Sequence, residues 1–183
     1  MIIMQPTKII LRDGREITVT LLTREIPSSA LQSYINELVD EDAFLLVDKK
    51  YSLTEEMEWK RRALEEADHG QSITLIALYG ERVIAALQAK RDRMKEKDNV
   101  SFGIAIAKDF RGVGLGEILL GMIINEAKKK LKPKNMYIAY IDGNIPAMRL
   151  YRKIGFKKII GKYPKWVKHK GRYRDRIVLL YSN

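Results

Sequence analysis

Asn99-Val100-Ser101-Phe102-Gly103-Ile104-Ala105-Ile106-Ala107, followed by Arg111-Gly112-Val113-Gly114-Leu115-Gly116, is the stretch on which the fold turns. In its first part bulky Val100, Phe102, Ile104 and Ile106 alternate with small Ser101, Gly103, Ala105 and Ala107, the period-2 pattern of a strand. Small side chains on one face let a helix or a ligand approach the backbone closely. The second part opens a long helix, Gly112 to Lys130, with Leu115, Ile118, Leu119, Met122, Ile123 and Ala127 read as its inward face. Pro133 ends that region, and Met136 to Ile141 reads as another strand. Residues 99–141 therefore form a βαβ unit, whose strands are expected to be parallel with a right-handed crossover.

The turn between strand and helix has its own chemistry. The first N–H groups of a helix lack intrahelical partners, and the macrodipole adds partial positive charge there. A diphosphate accepts those N–H bonds directly. Glycines remove the Cβ atoms that would hold it off, and Arg111 adds a cation. The turn is not a P-loop, because no Gly-Lys-Ser/Thr follows, nor a dinucleotide fingerprint, because Leu119 stands at the third glycine position. Spacing alone supports an anion-binding turn, with a ligand-free glycine connection as the alternative.

Outward from this unit, further elements follow. Lys8 to Leu11 and Glu16 to Thr23 flank the Asp13-Gly14 turn signal and read as a hairpin. Pro27-Ser28 opens a helix with Leu31, Tyr34, Ile35 and Leu38 at helical spacing, and Thr54 opens a second that runs to about His69 before Gly70. Ser72 to Tyr79 and Arg82 to Lys90 form a hairpin across Gly80-Glu81. Asn144 to Ile154 is a short helix with Ala147, Leu150, Tyr151 and Ile154 on one stripe, closed by Gly155. Phe156 to Gly161 and Asp175 to Tyr181 are the last strands, joined by a basic aromatic loop over 162–174. The fold class is α/β (α+β): a mixed, mostly antiparallel sheet of about seven strands around a parallel βαβ unit, with about four helices. No linker divides residues 1–183, so one domain is expected.

Composition narrows the function classes. The chain has 183 residues, 46% hydrophobic and 31% charged, an ordinary globular balance. Cys is absent and the two histidines, His69 and His169, are far apart, so a thiol nucleophile, a zinc site and a His-based triad are not expected, and no metal is assigned. No apolar run is long enough to cross a bilayer, and Met1 to Thr7 lacks the features of a leader, so a cytoplasmic, membrane-free protein is expected. Lys and Arg number 34 against 23 Asp and Glu, giving +11, a balance that attracts anions or simply keeps a surface solvated. Monomer and homodimer both stay open.

Taken together, Val100 to Ile106, Arg111 to Gly116 and Asn144-Ile145-Pro146-Ala147-Met148-Arg149-Leu150-Tyr151-Arg152-Lys153-Ile154-Gly155-Phe156 resemble the GNAT superfamily of acetyl-CoA-dependent N-acetyltransferases. The resemblance is dense over about 99–160, the expected cofactor-binding core, and elsewhere extends only to the order of elements. It implies acetyl-CoA as co-substrate and acetyl transfer to a primary amine: a protein N-terminus, a lysine or a small amine. Ile104, Ala105 and Ile106 would pair through their backbone with the pantetheine arm. Arg111, Gly112, Val113, Gly114, Leu115 and Gly116 would hold the pyrophosphate. Asn144 would contact the cofactor near its thioester, although the residue is equally suited to cap its helix. Tyr151 would protonate the departing thiolate, where a core tyrosine is the alternative.

The general base stays unassigned. Enzymes of this superfamily that acetylate ribosomal protein N-termini carry a Glu five residues before the Asn, where this chain has Ala139. Others use an acid on the cofactor-binding strand, where Ser101 stands. Asp142, Glu55, Glu56, Glu58 and a water relay are the alternatives. The need for a base depends on the acceptor: at pH 7 roughly one lysine in 2,500 is neutral, against roughly one N-terminal amine in six to eleven. The basic stretch 162–174 would border the acceptor cleft and could hold an acidic or ribosomal partner. A non-catalytic coenzyme A-binding module and an RNA- or ribosome-associated protein are the competing readings.

Overall fold

The computed structural model describes residues 5–182. The first four residues of the stretch read for a leader lie outside them. The elements, in order, are β1 (Thr7–Ile10), β2 (Glu16–Leu21), α1 (Ser28–Asp40), α2 (Leu53–Asp68), β3 (Ser72–Tyr79), β4 (Arg82–Arg91), β5 (Asn99–Ile106), α3 (Leu115–Lys130), β6 (Asn135–Ile141), α4 (Ile145–Ile154), β7 (Phe156–His169) and β8 (Arg172–Tyr181). They build one eight-stranded sheet in the order β1-β2-β3-β4-β5-β6-β8-β7. Neighbours are antiparallel except β5 and β6, which are parallel as the βαβ reading requires. The fold is the expected mixed α/β (α+β) architecture, mostly antiparallel around one parallel pair. The expected hairpin arm at Lys8–Leu11 is a full member of the sheet as β1, which makes eight strands where about seven are expected.

Alternation along the strands sends two sets of side chains to two cores. Ile73, Leu75 and Ala77 of β3, with Val100 and Phe102 of β5, pack under α3 and α4, against Leu119, Ile123 and Tyr151. Ile76 of β3 and Val83 of β4 pack with Leu31, Tyr34 and Leu38 of α1 and Ala63 of α2. Among the described residues no helix is long and apolar enough to cross a membrane.

Three local readings change. Helix α2 begins at Leu53, not Thr54, because Ser52 caps it: its hydroxyl accepts from the Glu55 N–H while the Glu55 carboxylate accepts from the Ser52 N–H. Helix α3 begins at Leu115, not Gly112. Gly112 and Gly114 hold φ of 79° and 86°, and Gly114 is the cap, so the turn is left-handed before the helix can start. The buried face of α3 is Leu115, Leu119, Leu120, Ile123, Ile124 and Ala127, whereas Ile118 turns outward and Met122 is half-buried. Apolar residues surround this helix on nearly every side, so its spacing does not select one stripe.

The largest correction concerns 162–174. It is not a loop. β7 continues to His169, β8 starts at Arg172, and only Lys170-Gly171 turn between them. Gly161 and Pro164 lie within β7, which is the outermost strand of the sheet. An edge strand tolerates a proline because its outer N–H has no ladder to serve. The register slips between Tyr163 and Val167 to accommodate it, with Lys165 at φ 51°.

One side chain fixes the middle of the sheet. Tyr34 of α1 is buried, and its hydroxyl donates to the Ala105 carbonyl at 2.7 Å and accepts from the Ala86 N–H at 3.1 Å. Ala86 and Ala105 face each other across β4 and β5, so the phenol bridges the two strands there. Tyr34→Phe leaves a buried donor and a buried acceptor without that partner. The expected cost is about 1–3 kcal/mol, read as a lower urea midpoint at unchanged m. An unchanged midpoint would show that the two strands close onto each other instead.

Candidate active site

β5 and β6 pair only from Asn99↔Asn135 to Phe102↔Ile138. Beyond that point β5 stays with β4 as far as Ile106, while β6 stays with β8 as far as Ile141. Two central strands thus part, each held by its outer neighbour, and a cleft of about 570 Å³ opens between them. Successive residues of a strand present their backbone groups to opposite edges. The Ala105 carbonyl meets Tyr34 on the β4 side, and the Ala107 N–H meets the Ile84 carbonyl there. Ile104 and Ile106 therefore turn their N–H and C=O groups to the open edge, whereas Ala105 turns away from it. The expected trio of Ile104, Ala105 and Ile106 resolves into two residues facing the cleft and one facing the sheet.

The glycine turn lies at one end of this edge. The N–H groups of Gly112, Val113, Gly114, Leu115 and Gly116 find no acceptor among the described residues, and they sit consecutively at the start of α3. That is a nest of donors with the helix dipole behind it. Gly112, Gly114 and Gly116 line the cleft, whereas Leu115 is buried in the core and Val113 packs against it, leaving their N–H groups as the useful part. The need for Gly116 differs from the expected one. A Cβ there would meet Leu150 Cδ2 at 2.8 Å, so this glycine lets α3 lie close to α4.

Charges frame the nest. Arg111 lines the cleft, but its guanidinium is paired with Glu41 and its Nε donates to the Ile106 carbonyl at 2.8 Å. A second arginine stands nearer the turn. Arg12, from the β1–β2 connection, also lines the cleft, and its Nε would lie 3.2 Å from a Cβ at Gly114. Sequence reading missed it because only the tertiary fold brings that connection here. Lys153 of α4 and Glu117 of α3, paired at 2.7 Å, also border the cleft.

α4 supplies the middle of the cleft. Asn144 lines it, and its side-chain oxygen accepts from the Ala147 N–H at 3.2 Å, so the capping role is present. Tyr151 also lines it, is 5% exposed, and packs edge-on to Tyr140 with ring centroids 6.4 Å apart. Burial pushes the Tyr151 phenol well above its ordinary pKa, so it stays protonated.

The far end is built from three connections. Phe44, Leu45 and Leu46 of the α1–α2 connection line it together with Ala139, Tyr140, Ile141 and Arg176. The β7–β8 hairpin folds back onto that connection: buried His169 stacks on Phe44 with centroids 4.0 Å apart and stands 3.4 Å from Asp42. Arg174 and Phe44 both approach Gly143, where a Cβ would lie 2.9 Å from the Arg174 Nη1. Of these wall residues sequence reading named only Ala139, as the position of a missing Glu, and the basic stretch itself. The run Ala43 to Val47, apolar yet outside any regular element, was the available signal.

The candidate bases are dispersed. Glu55 is used in the α2 cap and by Lys49, which hold its carboxyl low, at about 2. Glu56 is buried and pushed up to about 7 by desolvation, but it does not line the cleft, nor do Glu58 and Asp142. Ser101 stands opposite Tyr137, whose hydroxyl donates to Asp92 at 2.8 Å. Burial, and then that bond, push the Tyr137 phenol up to about 12, while Arg176 lies close enough to draw it down. Among the described residues Glu117 is the one carboxylate lining the cleft, and no cluster of metal-ligating side chains occurs.

Comparison with known proteins agrees with this geometry. The yncA protein of Salmonella typhimurium, whose structure holds its cofactor acetyl-CoA, superposes with a TM-score of 0.77 at 18% identity, over 91% of this chain and 93% of that one. The ribosomal-protein-alanine N-acetyltransferase of Brucella melitensis gives 0.76 at 20% identity, over 90% and 99%. A probable spermine N(1)-acetyltransferase of Bacillus subtilis subsp. natto is 36% identical over 52 residues, 28% of this chain. This chain spans about a third of the length of that curated relative, 34%. The sequence model of the acetyltransferase (GNAT) family matches residues 34–156, more than half of the chain, and covers the strand, the glycine turn and α4 alike: the chain belongs to the GNAT family.

Proposed function

We propose that this protein is an N-acetyltransferase that moves the acetyl group of acetyl-CoA to a primary amine by direct attack in a ternary complex. The observation that carries this reading is the fork: an open strand edge at Ile104 and Ile106 runs from a nest of free N–H groups at Gly112–Gly116 toward a buried, protonated phenol at Tyr151. A diphosphate with an extended amide-bearing arm fits that sequence of donors and acceptors. Acetyl-CoA, when bound, supplies the activated thioester.

The residues of the chain divide the remaining work. The N–H groups of Gly112–Gly116 and Arg12 hold the phosphates. The open edge of β5 fixes the arm, and its free N–H groups are suited to a developing oxyanion. Tyr151 Oη gives its proton to the departing thiolate. Alignment of both reactants in one cleft contributes much of the rate. The amine deprotonates to solvent or through water, since the cleft wall offers it no unpaired carboxylate.

Tyr151→Phe is expected to lower kcat by about 10²-fold or more with coenzyme A affinity nearly unchanged, because general-acid catalysis is worth that much and the ring remains. An unaltered kcat removes Tyr151 from the mechanism. Thiol release from acetyl-CoA across a panel of amines and peptides is expected to exceed the amine-free rate for at least one class. Tight coenzyme A binding without release to any acceptor leaves a coenzyme A-binding module instead.

A further inference from the structure

Arg176 is a cation of the cleft without a counterion among the described residues. It lines the wall, is half-buried, and its guanidinium makes no ion pair or hydrogen bond with any described residue. The other cleft cations are differently placed: Arg111 pairs with Glu41, Lys153 with Glu117, and Arg12 stands at the glycine turn. A guanidinium that lines a cleft without a protein partner is open to a ligand, and its planar fork matches a carboxylate. Two acidic residues near the hairpin are already used, and Asp142 does not line the cleft. Asp175 accepts from the Lys165 N–H and pairs with Lys162, and Asp42 faces His169.

Its position sets the geometry of the occupant. Arg176 pairs with Ile141 on β6, three residues past Ile138, where the fork opens, or about 10 Å along the strand. Alternation along β8 puts Arg176 on the same sheet face as Ala139 and Tyr137 of β6, and both Arg176 and Ala139 line the cleft. The charge thus stands on the β6 side of the fork, across from the open edge of β5. Arg174, on the same face of β8, lies with its guanidinium against Gly143. Phe44, Leu45 and Leu46 face it with apolar surface.

Resting on the acetyl-transfer reading above, we infer that the acceptor is an amino acid: a primary amine a few bonds from a carboxylate that Arg176 binds, with an apolar side chain against Phe44–Leu46. The same cation serves the chemistry. An amino acid's own carboxylate stabilises its ammonium form; neutralised by Arg176, it no longer does so, and the nearby guanidinium disfavours a second cation. The neutral amine that attacks is thereby favoured where no unpaired carboxylate lines the cleft to act as base. A polyamine meets the opposite field, with an arginine where it requires acids.

The test compares leucine with isoamylamine, spermine and an acidic-N-terminus peptide, each with acetyl-CoA and the full chain. Leucine is expected to have the highest kcat/KM, about 10²-fold above isoamylamine, a difference that Arg176→Gln abolishes through KM. In the variant the acidic limb of the kcat profile with leucine, which reports the bound amine, should shift to higher pH, a change that a merely structural role would not produce. Equal turnover of leucine and isoamylamine, preference for spermine or the peptide, or an unchanged ratio in Arg176→Gln overturns the assignment. Calorimetry of leucine binding to the coenzyme A-loaded protein keeps the two readings separable. Binding lost in Arg176→Gln, with coenzyme A affinity retained, supports the site even if no acetyl moves, and absence of leucine binding to the unaltered chain defeats it.

Discussion

The parting of β5 and β6 after Phe102 and Ile138 is the constraint on which the rest of the structure depends. A strand in the middle of a sheet does not normally leave an edge unpaired, because each buried N–H and C=O group left without a partner costs stability. The fork is tolerable only if each strand is held from its other side and the freed groups face a ligand or solvent. β4 holds β5 through Ile106, and β8 holds β6 through Ile141. Tyr34 strengthens the first of these by bridging Ala86 and Ala105, so helix α1 is tied to the strand whose far edge is open. Arg111 closes the same strand from below, joining the Ile106 carbonyl to Glu41 just past the end of α1.

The long β7–β8 hairpin has a comparable function at the other end of the cleft. An edge hairpin of this length, with Trp166 and Tyr173 largely exposed, gains little from its own burial. Its anchoring comes from the tip, where His169 is buried against Phe44 and Asp42, and from Arg174 against Gly143. Those contacts clamp the α1–α2 connection over the sheet. The acceptor wall is therefore assembled from segments near residues 44, 143 and 174, and a change in any of them moves the others.

This assembly explains what could be read in advance. The glycine turn, the βαβ unit and the Asn144–Phe156 helix were legible because their chemistry is local: positive φ at Gly112 and Gly114, alternation along β5 and one amphipathic stripe on α4. The start of α3 was misplaced by three residues because glycine permits both a helix and the left-handed turn that precedes one. The hairpin was read as a loop because Gly161 and Pro164 are breakers in a central strand but not on an edge. Arg12 and Arg176 carried no local mark at all, and Phe44 only the apolar run Ala43 to Val47. Each reaches the cleft only through tertiary packing, and sequence spacing holds no information on that. Glu56 illustrates the converse. It was named as a candidate base by its position near a helix start, and it is indeed a perturbed, buried acid, yet it lies outside the cleft.

The two halves of the cleft also differ in the kind of group that recognises a ligand. At the glycine turn the donors are backbone N–H groups, fixed by the fold and indifferent to side-chain identity beyond the need for glycine. At the proposed acceptor end the lining is of side chains, with a guanidinium at Arg176 and apolar surface at Phe44–Leu46. Backbone recognition is hard to alter by substitution, so the cofactor half constrains the sequence strongly and leaves a motif. Side-chain recognition is free to vary, so the acceptor half leaves none. The charge of the cleft connects the halves. Its only carboxylate among the described residues, Glu117, is neutralised by Lys153. A cleft that is cationic throughout favours phosphates at one end, and at the other it disfavours the ammonium form of whatever amine enters. On that reading the absence of an acid at Ala139 and Ser101 is consistent with catalysis, because the field of the cleft performs part of the deprotonation that a general base would otherwise provide.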